Sequence, residues 1–228
     1  GNPVTALPDP GFTFSQWSDG STENPRTDEN VSENISVTAE FIQEPVGVVL
    51  NISPLVPQNS DFTVTALFDE EITGFVPGDV SVTNGTATQV EQSMDNVNVW
   101  FISISPTADG TVEIQLPEDV VMAVDDGAPN EESNTLFITY DATPPTVVLT
   151  TDAMSPVTGP FEVTATFNED VSSLSESGVA VSGATVSNFV RSSGLQVITF
   201  TVTPTASDIS IQIIEGGVVD IATNPVEA

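Results

Sequence analysis

The side chains of this sequence that could do chemistry are almost all carboxylates. Asp and Glu number 33 against 2 Lys and Arg, with no His and no Cys, for a formal net charge of -31 over 228 residues. Imidazole bases, thiolate nucleophiles, disulfides and nitrogen or sulfur metal sites are therefore excluded. The two cations are Arg26 and Arg191, so lysine Schiff bases and lysine-asparagine isopeptide crosslinks are excluded as well. Nucleic acid is excluded as a partner, because phosphate neutralisation needs a basic surface. Among these acids are the short runs Asp69-Glu70-Glu71, Asp125-Asp126 and Glu169-Asp170, and the single residues Asp141 and Asp220. Two chemistries use such groups. Glycoside hydrolysis needs a carboxyl pair about 5 to 9.5 Å apart across a cleft, and the loops here are too short to build one. Hard cations take carboxylate and carbonyl oxygens from flexible loops, which makes calcium the better use of these acids. No stretch has the EF-hand spacing, so the signal lies in composition and position alone.

The elements that must hold these loops are strands. In residues 161–167, FEVTATF, the side chains of Phe161, Val163, Ala165 and Phe167 share one face while Glu162, Thr164 and Thr166 share the other. That period of two marks a strand with one buried side. FTVTALF, VWFISIS, ITFTVT and ISIQII read the same way, and no window carries a helical stripe. Residues 48–85 are also written again, about a hundred residues later, at 147–183: Phe62 falls on Phe161, Phe68 on Phe167 and Val80 on Val179. Short strands divided by Pro, Gly, Asn, Asp and Ser predict antiparallel Greek-key sandwiches, with a small barrel as the alternative. The expected division is a small β module over 1–45, one sandwich over 46–141 and a second over 142–228. Between the copies, Pro144-Pro145 favours an extended, semi-rigid joint. Charged residues are only 15%, below the usual ~25%, and 39% are hydrophobic, so the chain is expected to fold rather than to remain a charged coil. Its longest apolar runs fall far short of the roughly 18 residues of a membrane span.

The order of VVL at 147–149, PFEVTATFNEDV, VAVSGATVSNF, TFTVTPT and GVVDIATNP resembles the bacterial immunoglobulin-like repeats found in tandem in large secreted and cell-surface proteins, adhesins among them. GFTFSQWSDG and ISVTAEF resemble the C-terminal part of an internalin-type B-repeat, a small β-grasp-like module. These resemblances imply an all-β chain of two tandem immunoglobulin-like sandwiches behind a partial β-grasp-like module. They also imply a bacterial, extracellular or cell-surface setting and a role in spacing, display or adhesion rather than catalysis. The first copy closes with Leu136-Phe137-Ile138-Thr139-Tyr140, for which the second shows no counterpart, so its last strand is expected to be missing. Beginning at Gly-Asn-Pro and ending at Pro-Val-Glu-Ala, the chain reads as a piece of something larger.

In an immunoglobulin-like topology, the loop after the second strand and the loop before the last strand lie at the end that receives the incoming linker. This predicts two junction clusters. One gathers Asp69, Glu70, Glu71, Asp125 and Asp126 near Glu44. The other gathers Glu169, Asp170 and Asp220 near Asp141, with Asn168 and Asn224 beside them. All nine acids are candidate calcium ligands that would rigidify the joints, and one carboxylate of each such loop could instead cap backbone amides. Solvated loop acids that keep the surface soluble are the plain alternative. The function expected is that of a non-catalytic stalk or adhesin segment whose partners are neighbouring repeats of the same or adjacent chains. The alternatives are a filament subunit completed by strand exchange, a ligand-binding adhesin, or an accessory module of a secreted enzyme.

Overall fold

A computed structural model describes residues 1–192 and 194–227. Its contacts divide into two compact units, Gly1–Ile52 with Thr63–Ser105 and Glu113–Phe137, and Ser53–Phe62 with Pro106–Val112 and Ile138–Ala228. Among the described residues the chain is all-β apart from two single 3-10 turns, and no helix is long and apolar enough to cross a membrane.

Strands β1 (Phe12–Trp17) and β2 (Ala39–Gln43) form a two-stranded antiparallel sheet in the N-terminal module. Trp17 is the buried anchor, its indole N–H donating to the Glu23 carbonyl at 2.8 Å. Arg26 lies 5.3 Å over that ring and pairs with Asp28 and Asp19 at 2.6 and 3.0 Å, so this buried cation is fully compensated.

The first immunoglobulin-like copy runs through β3 (Val48–Asn51), β4 (Phe62–Phe68), β5 (Ile72–Thr73), β6 (Ser81–Thr83), β7 (Gly85–Gln92), β8 (Val99–Pro106), β9 (Gly110–Gln115), β10 (Met122–Ala123) and β11 (Leu136–Tyr140). One sheet has the order β3-β4-β8-β7, a second β11-β9-β6, and β5 pairs with β10. The second copy comprises β12 (Val147–Thr150), β13 (Phe161–Phe167), β14 (Val179–Ser182), β15 (Ala184–Arg191), β16 (Val197–Pro204) and β17 (Ser210–Ile213). Its larger sheet, β12-β13-β16-β15, repeats β3-β4-β8-β7 strand for strand. Among the described residues the smaller sheet holds β14 and β17.

Alternation does what the sequence pattern requires. Phe62, Val64, Ala66 and Phe68 all point into the core, as do Val163, Ala165 and Phe167. Ile198, Phe200 and Val202 of β16 meet them in the core of the second copy, with Val171, Leu174, Val179 and Ile213. Burying such side chains supplies about 1.5–3 kcal/mol each, which fixes the strand register and hence the loop positions.

Candidate metal centre

The acid-bearing loops sit where hydrophobic strands end. In the second unit, Phe167 is buried at the last position of β13 and Val171 is buried just beyond it, so the intervening Asn168-Glu169-Asp170 must turn outside the core. Val218, Ala222 and Val226 bury a later loop. Within that loop, Asp220 bridges Val171 and Val219 bridges Pro225. Asp141 arrives from the linker, its amide donating to the Gln58 carbonyl at 2.9 Å.

These three segments bring one carboxylate oxygen each from Asp141, Glu169 and Asp220 within 4.8 Å of one another. Asp220 is buried, while Asp141 and Glu169 are half-buried. Asn224, itself buried, organises the group. Its backbone N–H donates to Asp220 Oδ1 at 2.8 Å, and its Nδ2 donates to Asp220 Oδ2 at 2.8 Å and to the Asp141 carbonyl at 2.7 Å. Asn59 Nδ2 in turn donates to Asn224 Oδ1 at 3.1 Å. A carboxylate offers about four lone-pair positions, so Asp220 keeps acceptor capacity after both bonds. Burial, with Asp141, Asp220 and Asp109 nearby, pushes the Glu169 carboxyl above its ordinary range. Three carboxylates within that radius fit the oxygen-only coordination of a calcium-sized cation, whose ligands lie about 2.3–2.6 Å from the metal, and the ion would relieve the repulsion that Glu169 feels.

Asp170 stays exposed and outside this group. Asp109 belongs near it, although its sequence context, a short turn between β8 and β9, did not mark it. It accepts hydrogen bonds from the Ala142 N–H at 2.8 Å and from the Thr143 hydroxyl. These two bonds hold its carboxyl below the usual range. Only the folded chain shows that this turn reaches the linker.

In the first unit, Glu70, Glu71, Asp125 and Asp126 line a cavity of about 210 Å³ with Pro10 and Gly11. They come near one another, but among the described residues only Asp141, Glu169 and Asp220 form a close three-oxygen group. The Glu70 carboxyl is raised by burial and then by Asp126, Asp69, Asp125 and Glu44, as its counterpart Glu169 is. Asp126 does different work from Asp220. Its Oδ1 accepts the Ala128 N–H at 2.9 Å, while its Oδ2 is buried against Gly11 without a hydrogen-bond partner among the described residues, and a Cβ on Gly11 would collide with it. The positive φ of Gly11, 78°, suits the same close approach. Asp69 serves the linker. Its Oδ1 accepts the Gly47 N–H at 2.9 Å, and Asn168 repeats the contact with the Thr146 N–H at 2.7 Å. The backbone cap is thus the first residue of each loop, a carboxylate at Asp69, but in the second copy the amide of Asn168 where a carboxylate was expected.

The fold and these loops define a class: a tandem β-sandwich chain whose acids gather at its linkers. More narrowly, the chain belongs to the bacterial Ig-like domain family, whose model matches residues 43–140 and again 141–228. Residues 2–45 match the divergent InlB B-repeat domain. No curated protein matches the chain.

Proposed function

We propose that this chain is a non-catalytic structural segment of a bacterial secreted or surface protein, spacing more distal parts away from their anchor, with a calcium ion stiffening the joint at Asp141. The observation that carries this reading is the convergence of Asp141 from the linker with Glu169 and Asp220 from two loops of the second copy. An ion held by all three ties the linker to the sandwich that follows it. The tandem Ig-like matches support a repeat segment of this kind, and the absence of His, Cys and Lys leaves little to catalyse with.

Since the chain has no cysteine, spin labels can be placed cleanly at T88C and S187C, on the exposed surfaces of β7 and β15. The inter-label distance distribution should be narrow at millimolar calcium and broaden in chelator. A distribution indifferent to calcium in the folded protein would overturn the stiffened-joint reading.

A further inference from the structure

The carboxylates of Asp141, Glu169 and Asp220 are held by more than the linker and the second copy. Residues 53–61, the β3–β4 loop of the first copy, pack in the same compact unit as the second copy. There Gln58 touches the linker twice: its N–H donates to the Thr139 carbonyl and its carbonyl accepts the Asp141 N–H, both at 2.9 Å. The next residue, Asn59, is half-buried, and its Nδ2 donates to Asn224 Oδ1 at 3.1 Å and to Thr223 Oγ1 at 3.4 Å.

The contact with Asn224 sets a direction. A side-chain amide has two donors at one end and an acceptor at the other. Asn224 turns its nitrogen to Asp220 Oδ2 and to the Asp141 carbonyl, and reversed end for end it would set its oxygen against both. Asn59 opposes that reversal, because its own NH2 would then face another NH2.

The contact with Thr223 comes at a strained position. The turn from Asp220 to Asn224 is closed by Asp220 N–H donating to the Asn224 carbonyl at 3.0 Å, as the turn from Ala123 to Ala128 is closed at 2.8 Å. In each, the residue before the last is left-handed: Gly127 at φ 72° and Thr223 at φ 74°. Glycine adopts that backbone freely, whereas a β-branched residue there is an outlier. The first copy thus has the residue the turn favours, and the second keeps an exposed threonine whose hydroxyl receives Asn59. Strain of this kind persists where the surroundings hold it, and it gathers at functional positions.

We infer that Asn59 and Thr223 are positioning residues through which the first copy completes the cation site of the second. Asn59 fixes the Asn224 amide, and so aims Asp220 and Asp141 at one ion, while Thr223 anchors Asn59 to the turn. This rests on the cation reading of the three acids and adds that affinity depends on the copy in front of them. Coupling is reciprocal, so a bound ion also steadies the β3–β4 loop.

Calcium titration and amide exchange on the full chain test this. N59A should bind calcium roughly tenfold more weakly, and calcium should slow exchange of the Gln58 N–H in the unmodified chain but not in N59A. T223G separates positioning from plain stability: relief of the backbone should raise the melting temperature by roughly 2 °C, yet calcium should bind roughly threefold more weakly. Equal affinity in N59A, or an affinity in T223G that rises with its stability, would overturn the inference. A metal-free arm stands apart from the cation reading. In chelator, N59A should speed exchange of the Asn224 N–H while β13 is unchanged, and an unaltered Asn224 N–H would refute the positioning role whether or not the unmodified chain binds calcium.

Discussion

The two linker junctions use the same loop and finish it differently. Asp69-Glu70-Glu71 and Asn168-Glu169-Asp170 follow corresponding strands, cap corresponding linker amides, and hold a middle Glu whose carboxyl is raised by burial and by neighbouring acids. Their partner loops differ by strand register. Met122 bridges Pro129 and Val219 bridges Pro225, so the residue in the place of Asp220 is Ala123, and the one in the place of Asn224 is Ala128. At the first junction the acids sit in the turn, where Asp126 packs on Gly11. At the second, an acid and an amide occupy the buried ladder itself. The two loops thus differ by one residue in length and by the acid and amide that stand at Asp220 and Asn224 in place of Ala123 and Ala128.

Substitution of the organising amide should have the largest effect. N224A would leave Asp220 Oδ2 and the Asp141 carbonyl without their Nδ2 donor, at a cost of about 1–3 kcal/mol for each unsatisfied group, while the backbone N–H at 224 still serves Asp220 Oδ1. Urea unfolding followed by amide exchange should show the loss confined to the second unit, and a loss below about 0.5 kcal/mol would mean that Asn224 organises nothing. The linker caps should behave alike despite their different chemistry. D69A and N168A each remove one acceptor from a linker amide, and each should cost about 1 kcal/mol. Unequal costs would show that the two joints differ in the cap as well as in the partner loop.

The smallest effects should appear as opposite pH trends. Glu169 has a raised carboxyl in the folded chain. Its stabilising contribution is therefore fully present below the ordinary Glu range and is lost as pH rises through the raised value. Without cation, the second unit should melt higher in mild acid than at neutrality, and E169Q should flatten that trend and raise the neutral melting temperature by roughly 2 °C. E70Q should do the same in the first unit. Asp109, held low by its linker bonds, contributes stability that is present above the ordinary Asp range and is lost as pH falls through the depressed value. D109N should flatten that more acidic limb alone. An acid melting profile unchanged in E169Q would place the repulsion elsewhere.

Much of this architecture could be read from residues alone. Alternation in FTVTALF and FEVTATF is enforced by burial of one face, and the second writing of the unit carries the same faces, so both large sheets were legible. That acids would gather near the linkers was legible too, because strand ends dictate loop positions. Which acids converge was not. In sequence, Asp125 and Asp220 look like counterparts, and only the ladder through Ile72 and Ala123 on one side, and the bridge from Val171 to Asp220 on the other, reveals the offset. Asp109 was illegible for a similar reason, since its turn is local and its partners at Ala142 and Thr143 are far along the chain. Phe161, expected on the buried face of its strand, is only half-buried.

Calorimetric titration of calcium into the chain and its variants tests the difference between the junctions most directly. One site per chain is expected, lost in D220A and N224A and retained in E70Q and D126N. Two equivalent sites, a site lost in E70Q but kept in D220A, or no heat of binding at millimolar calcium would contradict it.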